Sequence, residues 1–556
     1  MTSVTDAAWL AHGRARKLVS HWGPWRDMQD GFSWEIPAQF NIGERCCDSW
    51  AALDPDRIAL THVRQDGSSE DWNFGRLKEA SDRFATVLRA AGLEKGDRIA
   101  VLLGQGPEVL ITHFAAYKLG AVVLPLFTLF GADALAYRLS DSGAKLVVTD
   151  PDNMAKLSEI RADLPTLEAV FTVKPCDGAT DMWRALENAD PLADPVDTLA
   201  EDPAVMIYTS GTTGPPKGVL HAHRFLLGHL PCVETFNEDF PQAGDKGWTP
   251  ADWAWIGGLM DLALPFLYFG VPIVSHRMRK FDAEVAYRLM ADHKLRNLFM
   301  PPTALKLLRQ SDATPDGVHI RSIGSGGESL GAGLLDWADQ ALGVKINEFY
   351  GQTECNLVLS SVAGAMDVKP GSMGQAIPGH SVTLLGEDGS PVEPGEMGEI
   401  CVKAPDPVMF LRYWNLPEKT RDKFHDVDGV KWLRTGDLAT RDAAGYFTFA
   451  SRDDDVITSA GYRIGPSEIE NCLMTHPDVT MAAVIGVPDP LRTEAVKAVV
   501  VLKDGCAHEG MEKALIQLVR GRISPHVAPR SVVFVDHLPM TATGKIMRRE
   551  LRGAGD

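Results

Sequence analysis

The sequence predicts an α/β fold: a large N-terminal domain of sheet subdomains covered by helices, followed by a small α+β C-terminal domain. Three observations carry this. From about residue 40 to residue 150, apolar runs of strand length alternate with amphipathic stretches of helix length, the order that gives parallel strands with covered faces. At 556 residues the chain exceeds what one hydrophobic core supports, so about three or four folding units are expected. A charged cluster from Arg452 to Asp455 precedes a fresh set of strands, which divides the chain into domains at 1–451 and 452–556.

Taken in order, FNIGERCCDSWAALDPDRIAL reads as an amphipathic helix and then a strand. A helix is expected near 75–92, a strand over 98–103, a helix near 107–119 and a strand over 121–124. In AYRLSDSGAKLVVTD, Gly143 ends a helix ahead of an apolar strand over 145–149. Residues 256–274 are long and apolar enough to suggest a membrane span. Asp261, Pro265, Pro272 and the glycines make a poor one, so buried helix and strand are expected, with no stable membrane insertion.

The stretch around which the chain is organised is VMIYTSGTTGPPKGVL, residues 205–220. A buried-strand pattern runs into a loop where Gly211 and Gly214 free the backbone to turn its N–H groups toward one point, a concavity suited to phosphate oxygens. Thr209, Ser210, Thr212 and Thr213 add neutral donors, Pro215 and Pro216 stiffen the exit, and Lys217 adds a point charge. A Walker loop is excluded because Pro216 precedes Lys217 and Gly218 follows it, and no G-x-G-x-x-G follows the strand.

Composition is that of a soluble globular protein. A formal charge of −19 argues against a general nucleic-acid binder, so any polyphosphate must be held by local donors. Eight cysteines without a C-x-x-C pair, and no secretory signal, read as reduced thiols of a cytoplasmic protein.

Further on, TPADWAWIGG places Trp253 and Trp255 on one side of an extended strand, as a core pair or as a substrate wall. RSIGSGGESL, NEFYGQTE, KWLRTGDL, SRDDDVITSAGYRIG and LPMTATGKIMRREL follow. In the third of these, Asp437 can accept two hydroxyl hydrogen bonds at once, which is what a ribose diol offers.

With TSGTTGPPKG, YGQTE, TGD, SRDDD and the TGK-containing tail in this order, the chain resembles the adenylate-forming superfamily of acyl-CoA synthetases, adenylation domains of peptide synthetases, and luciferases. FNIG with YRLSDSGAKLVV is similar to its medium-chain acyl-CoA synthetase branch. The resemblance runs from about residue 40 to residue 552.

It implies an ATP-dependent carboxylate:CoA ligase with a mobile C-terminal lid hinged near Asp454. Gly326, Gly327 and Glu328 form one wall of the adenine site and Tyr350 stacks on the other, worth about 1–3 kcal/mol. Thr353 and Glu354 meet the phosphates, with Glu354 holding magnesium. Asp437 and Arg452 take the ribose and phosphate side, Ser451 standing where the pattern has glycine. Lys545 is the catalytic lysine of adenylation. Gly461 leaves room for the pantetheine of coenzyme A, Arg463 contacts phosphate or stabilises the lid, and Arg520 meets the CoA nucleotide.

The resemblance also implies that Trp255 gates the acyl pocket. Where acetate-specific relatives have a pocket-closing tryptophan after the stacking aromatic, this chain has Gly351, implying medium-chain, branched or ring carboxylates. The alternatives are a benzoate-type aryl-CoA ligase and a stand-alone enzyme that adenylates for a carrier protein. Small molecules are the expected partners, with homo-oligomerisation left open.

Overall fold

Strands and helices interleave over 40–150, except that the first two strands, Ile58–Val63 and Ser69–Asn73, follow one another as an antiparallel hairpin, and the strands feed two different sheets. The computed structural model describes every residue except 1–5, 210–214, 329, 453–454, 460–461, 490–492, 504, 526, 542–544 and 554–556, and for a few others, Arg463 among them, only the backbone. The first strand, Ile58–Val63, pairs in parallel with Ile273–Ser275 and so joins a nine-stranded sheet formed mostly by residues beyond 247. Arg98–Leu102, Val122–Pro125 and Leu146–Thr149 lie side by side in a separate eight-stranded sheet.

Local chemistry sets the helix ends. The helix Phe74–Ala90 starts where Asn73 accepts a hydrogen bond from Arg76 N, and it buries Leu77, Phe84 and Leu88. The helix Ala132–Ser142 stops at Gly143, whose φ of 60° is the left-handed cap the sequence predicts. The apolar 256–274 stretch folds as short buried helical segments and the strand Ile273–Ser275, and among the described residues no helix is long and apolar enough to cross a membrane.

The parts of the two large sheets that matter for function are their strand ends. In the eight-stranded sheet, Pro203–Thr209 and Lys217–Ala222 form an antiparallel hairpin in register Thr209 opposite Lys217. In the nine-stranded sheet, Asn297–Phe299, Ser322–Gly326 and Ile346–Gln352 run parallel, and Cys355–Ser360 returns antiparallel beside the last of them. A third sheet contains the long strand Val430–Arg441, which pairs with Phe447–Arg452.

Beyond residue 456 the chain builds a further sheet, led by the hairpin of Val479–Asp489 with Thr493–Leu502. Its core is its own: Ile457, Ile469, Leu473, Val484, Val500, Leu515 and Val519 pack together. This is the small α+β unit expected after the charged cluster.

Candidate active site

One strand end supplies two groups of polar side chains. Ile346–Gln352 carries Tyr350 and Gln352, and Glu354 follows at the turn into Cys355–Ser360. Tyr350 Oη donates to Asp437 Oδ2 at 2.6 Å, and Gln352 Nε2 donates to the same oxygen at 2.5 Å and to Thr435 O at 2.9 Å. Arg452 stands 3.8 Å from Asp437 Oδ1, because the two residues face each other across paired strands. Burial, and then the Asp437 carboxylate, push the Tyr350 phenol up, so it stays a donor.

Asp437 is aimed by its neighbours. The Thr-Gly-Asp segment lies within the strand Val430–Arg441 and distorts it locally. Gly436 takes a φ of 76° and donates its N–H to Glu399 Oε1, while Thr435 Oγ1 donates to Ile400 O and accepts from Asp437 N. Only glycine takes that conformation without strain.

The second group forms at the hairpin mouth. Lys217 Nζ lies 4.4 Å from the ring centroid of Tyr413, and Tyr413 Oη donates to Glu354 Oε1. Burial lowers the Lys217 ammonium, opposed by the nearby Glu354 carboxylate. Burial and the same carboxylate raise the Tyr413 phenol. Tyr413 gets there because Arg412–Tyr413 pairs antiparallel with Leu220 and Val219. A half-buried cation, a phenol and a buried carboxylate thus converge where the loop 210–216 joins its strands. Ser210, Gly211, Thr212, Thr213 and Gly214 lie outside the described residues, and Thr209 and Lys217 mark their two ends.

Other predicted residues fall nearby. Gly327 takes a φ of 94°, and a Cβ there would lie 3.3 Å from the Trp255 ring, so this backbone and Trp255 pack directly together. The Glu328 carboxylate accepts from Thr303 at 3.1 Å and stands 3.8 Å from Lys306. Thr353 sits between Gln352 and the buried Glu354, partly exposed.

Two expectations change. TPADWAWIGG is a turn leading into a helix, not an extended strand: Asp252 accepts from Ala254 N at 2.9 Å and from Trp255 N at 3.1 Å, which folds the segment back. Trp253 is therefore core, 1% exposed, while Trp255 stays partly exposed beside Gly327. Gly351 has a second reason to be glycine, since a Cβ there would lie 2.2 Å from Leu357 N, in the backbone of the returning strand. A tryptophan at 351 would break that pairing before it filled any pocket.

The lid residues are placed apart from these groups. Lys545 is exposed, with Thr541 N donating to its carbonyl at 2.8 Å, and no described contact joins it to Lys217 or Glu354. Asp454 and Gly461 lie outside the described residues, and Arg463 is described by its backbone alone, in Tyr462–Ile464. Arg520 is exposed on Met511–Arg522. Arg522, not Arg520, lines a cleft of about 1610 Å³ between the small unit and Lys306 and Arg309 of the large domain. Of the basic C-terminal end, Arg548 and Arg552 are committed to Glu470 and Asp455.

Sequence reasoning missed Tyr413 and Gln352. Gln352 was there to be found, inside YGQTE; an aromatic in LRYWNLP carries no spacing that points to chemistry.

Comparison with known proteins bears on this arrangement. The model of the AMP-binding enzyme family matches residues 47–414, and that of the AMP-binding enzyme C-terminal domain matches residues 468–545. The chain is 35% identical over 533 residues to the acyl-coenzyme A synthetase ACSM2, mitochondrial, of Rattus norvegicus, covering 93% of this chain and 92% of that one. Among solved structures it is similar to the anthranilate CoA ligase AuaEII in complex with anthranoyl-AMP, with a TM-score of 0.85 at 26% identity, covering 93% of this chain and 98% of that one. It is also similar to ATP-bound MatB from Rhodopseudomonas palustris, with a TM-score of 0.82 at 31% identity, covering 92% and 98%.

Proposed function

The chain belongs to the AMP-binding enzyme family, and from that membership we propose that it is an ATP-dependent ligase joining a carboxylate to coenzyme A, forming AMP and pyrophosphate. The observation that carries this is the double use of one strand end. Tyr350 and Gln352 bind Asp437, while Glu354 two residues on meets Tyr413 beside Lys217. A nucleoside and its phosphates would span those two groups.

A carboxylate oxygen attacks the α-phosphorus of ATP, and the bond from that phosphorus to the bridging oxygen of pyrophosphate breaks. The products are acyl-AMP and pyrophosphate. The thiolate of coenzyme A then attacks the acyl carbon, and AMP leaves. Displacement at phosphorus needs positioning and charge neutralisation more than a covalent catalyst. Lys217 holds pyrophosphate oxygens at the loop exit, Asp437 holds the ribose diol, and the ring of Tyr350 takes the base. Glu354 would hold magnesium, whose bound charge neutralises polyphosphate; a buried carboxylate next to the phosphate loop is the hard oxygen ligand that ion prefers.

Lys545 serves only the first step in this reading. Its exposure here corresponds to the lid position of the second step, with adenylation requiring the lid to turn about Asp454 and bring the lysine in. The cleft beside Arg522, Lys306 and Arg309 would take the nucleotide of coenzyme A, and Gly461 the pantetheine. We assign medium-chain, branched or ring carboxylates as substrates and acetate as a poor one, the apolar surround of Trp255 and Phe299 favouring buried hydrocarbon. The cysteines described as free thiols support a reducing compartment, the cytoplasm in our reading.

The test is a pyrophosphate-release screen over acetate, butyrate, hexanoate, octanoate, benzoate and cyclohexanecarboxylate, with and without CoA. Release with a larger acid and turnover that requires CoA are expected. Release independent of a thiol acceptor, or preference for acetate, overturns the assignment.

A further inference from the structure

Asp261 is a buried carboxyl that the reaction above leaves without a role. It lies in the helical turn Leu259–Ala263, a little beyond Trp255 in the chain, and is 3% exposed. Asn356 Nδ2 donates to Asp261 Oδ1 at 2.7 Å. The same Nδ2 lies 3.1 Å from Nε2 of His229 on the helix Phe225–Phe236, and Nδ1 of that ring lies 2.7 Å from Phe225 O. A carbonyl only accepts, so Nδ1 carries the proton and Nε2 offers its lone pair to Asn356. The two protons of one amide are thus divided between an acid and an imidazole, and all three side chains are buried.

Burial keeps this trio neutral. It pushes the Asp261 carboxyl well above the usual carboxylate range, opposed by the Asn356 donation, and it lowers His229 to about 3. A neutral, hydrogen-bonded trio avoids the cost of an unpaired buried charge. Apolar side chains of the same shape would serve stability as well. What a satisfied buried network adds is one fixed geometry.

Three segments of the site meet at Asn356. It follows Glu354 closely, near the start of the returning strand Cys355–Ser360. The helix that carries His229 comes just after the strand Lys217–Ala222, and the turn that carries Asp261 continues the helical stretch begun after Trp255. The returning strand is irregular at this point. Its pairing with Ile346–Gln352 shifts register between Tyr350 and Gln352, and Leu357 takes a φ of 53°, in the left-handed region that leucine rarely adopts. The Asn356 Cα lies 2.6 Å from where a Cβ on Gly351 would stand, so the two backbones are in contact there.

We propose that Asn356 is a positioning residue for adenylation: by binding Asp261 and His229 at once, its amide fixes the turn that carries Glu354 relative to the segments that carry Lys217 and Trp255. This rests on the ligase reading, in which Glu354 holds the metal and Lys217 the pyrophosphate oxygens. Asn356 acts through that turn and not by contact with substrate.

The test compares wild type with Asn356→Leu, Asp261→Asn and Asp261→Ala in three measurements, each at a temperature where a thermal melt shows the protein folded. These are acyl-AMP formation by pyrophosphate release, thioester formation from supplied acyl-AMP, and Mn2+ binding to the enzyme–ATP complex by electron paramagnetic resonance. Asn356→Leu should lower kcat for acyl-AMP formation by about tenfold or more and weaken Mn2+ binding by about threefold or more. Thioester formation should stay within about twofold of wild type. Asp261→Asn keeps a carbonyl oxygen for the Asn356 amide and should match wild type within about twofold in all three measurements, whereas Asp261→Ala should follow Asn356→Leu. Equal losses in the two half-reactions, unchanged Mn2+ binding, or an Asp261→Asn variant as impaired as Asp261→Ala makes the trio core packing and overturns the proposal. If Asn356→Leu fails to fold, Asp261→Ala decides on the same terms. A wild type that releases no pyrophosphate with any acid of the screen overturns the ligase reading itself. An active wild type whose variants keep its adenylation rate overturns the positioning role alone.

Discussion

Tyr350 and Asp437, 87 residues apart in sequence, are joined by a 2.6 Å hydrogen bond from the phenol to the carboxylate. The bond fixes the ring that would stack on adenine and the acid that would hold the ribose as one unit. Their roles then separate by substitution. Tyr350→Phe keeps the stacking face and loses the bond to Asp437, so the KM for ATP should rise by about three- to tenfold. Tyr350→Ala loses the face as well, and a further factor of about 5 to 150 is expected from stacking. Equal KM values for the two variants in the pyrophosphate-release assay would remove the stacking role.

Much of this unit was legible because its chemistry is carried by short contiguous strings. YGQTE and the Thr-Gly-Asp segment each keep their residues together, and the strand register does the rest. Tyr413 was not legible, since its position depends on a two-residue strand finding Val219 across a long gap. The Trp253 and Trp255 segment misled because period-2 spacing predicts a strand whenever nothing local opposes it. Here Asp252 opposes it, accepting from Ala254 N and folding the backbone. The strand Ile58–Val63 was correctly placed in sequence but belongs to the sheet of residues far downstream, a pairing that alternation alone does not encode.

Lys217 gives a pH prediction whose sign follows from burial. Its folded pKa is lowered from the ordinary 10.5, so the ammonium loses its proton at a lower pH than a solvated lysine. If adenylation uses that charge, as proposed, its rate should fall as pH rises through that lowered pKa. Lys217→Arg keeps its charge throughout, and the alkaline limb of the pyrophosphate-release profile should move upward in pH. A limb at the same pH in both proteins would show that another group titrates.

Lys545 should divide the two half-reactions. It is exposed here with no described contact to Glu354, and in the proposed mechanism its charge reaches the phosphates when the lid turns. Lys545→Ala should slow formation of acyl-AMP by about two to three orders of magnitude, the usual scale for losing one transition-state charge contact. Thioester formation from supplied acyl-AMP should continue near the wild-type rate. Equal losses in the two assays would contradict a role confined to adenylation.

Gly461 tests the opposite half. Gly461 itself lies outside the described residues. In the ligase reading the pantetheine arm passes it, so Gly461→Leu should cut CoA-dependent turnover by about a hundredfold while ATP–pyrophosphate exchange stays near wild type, because exchange needs no thiol. Misfolding would lower both activities and the melting temperature together. Full CoA turnover in the leucine variant would require the thiol to reach acyl-AMP by another path, past the cleft lined by Arg522 and Lys306 but away from Gly461.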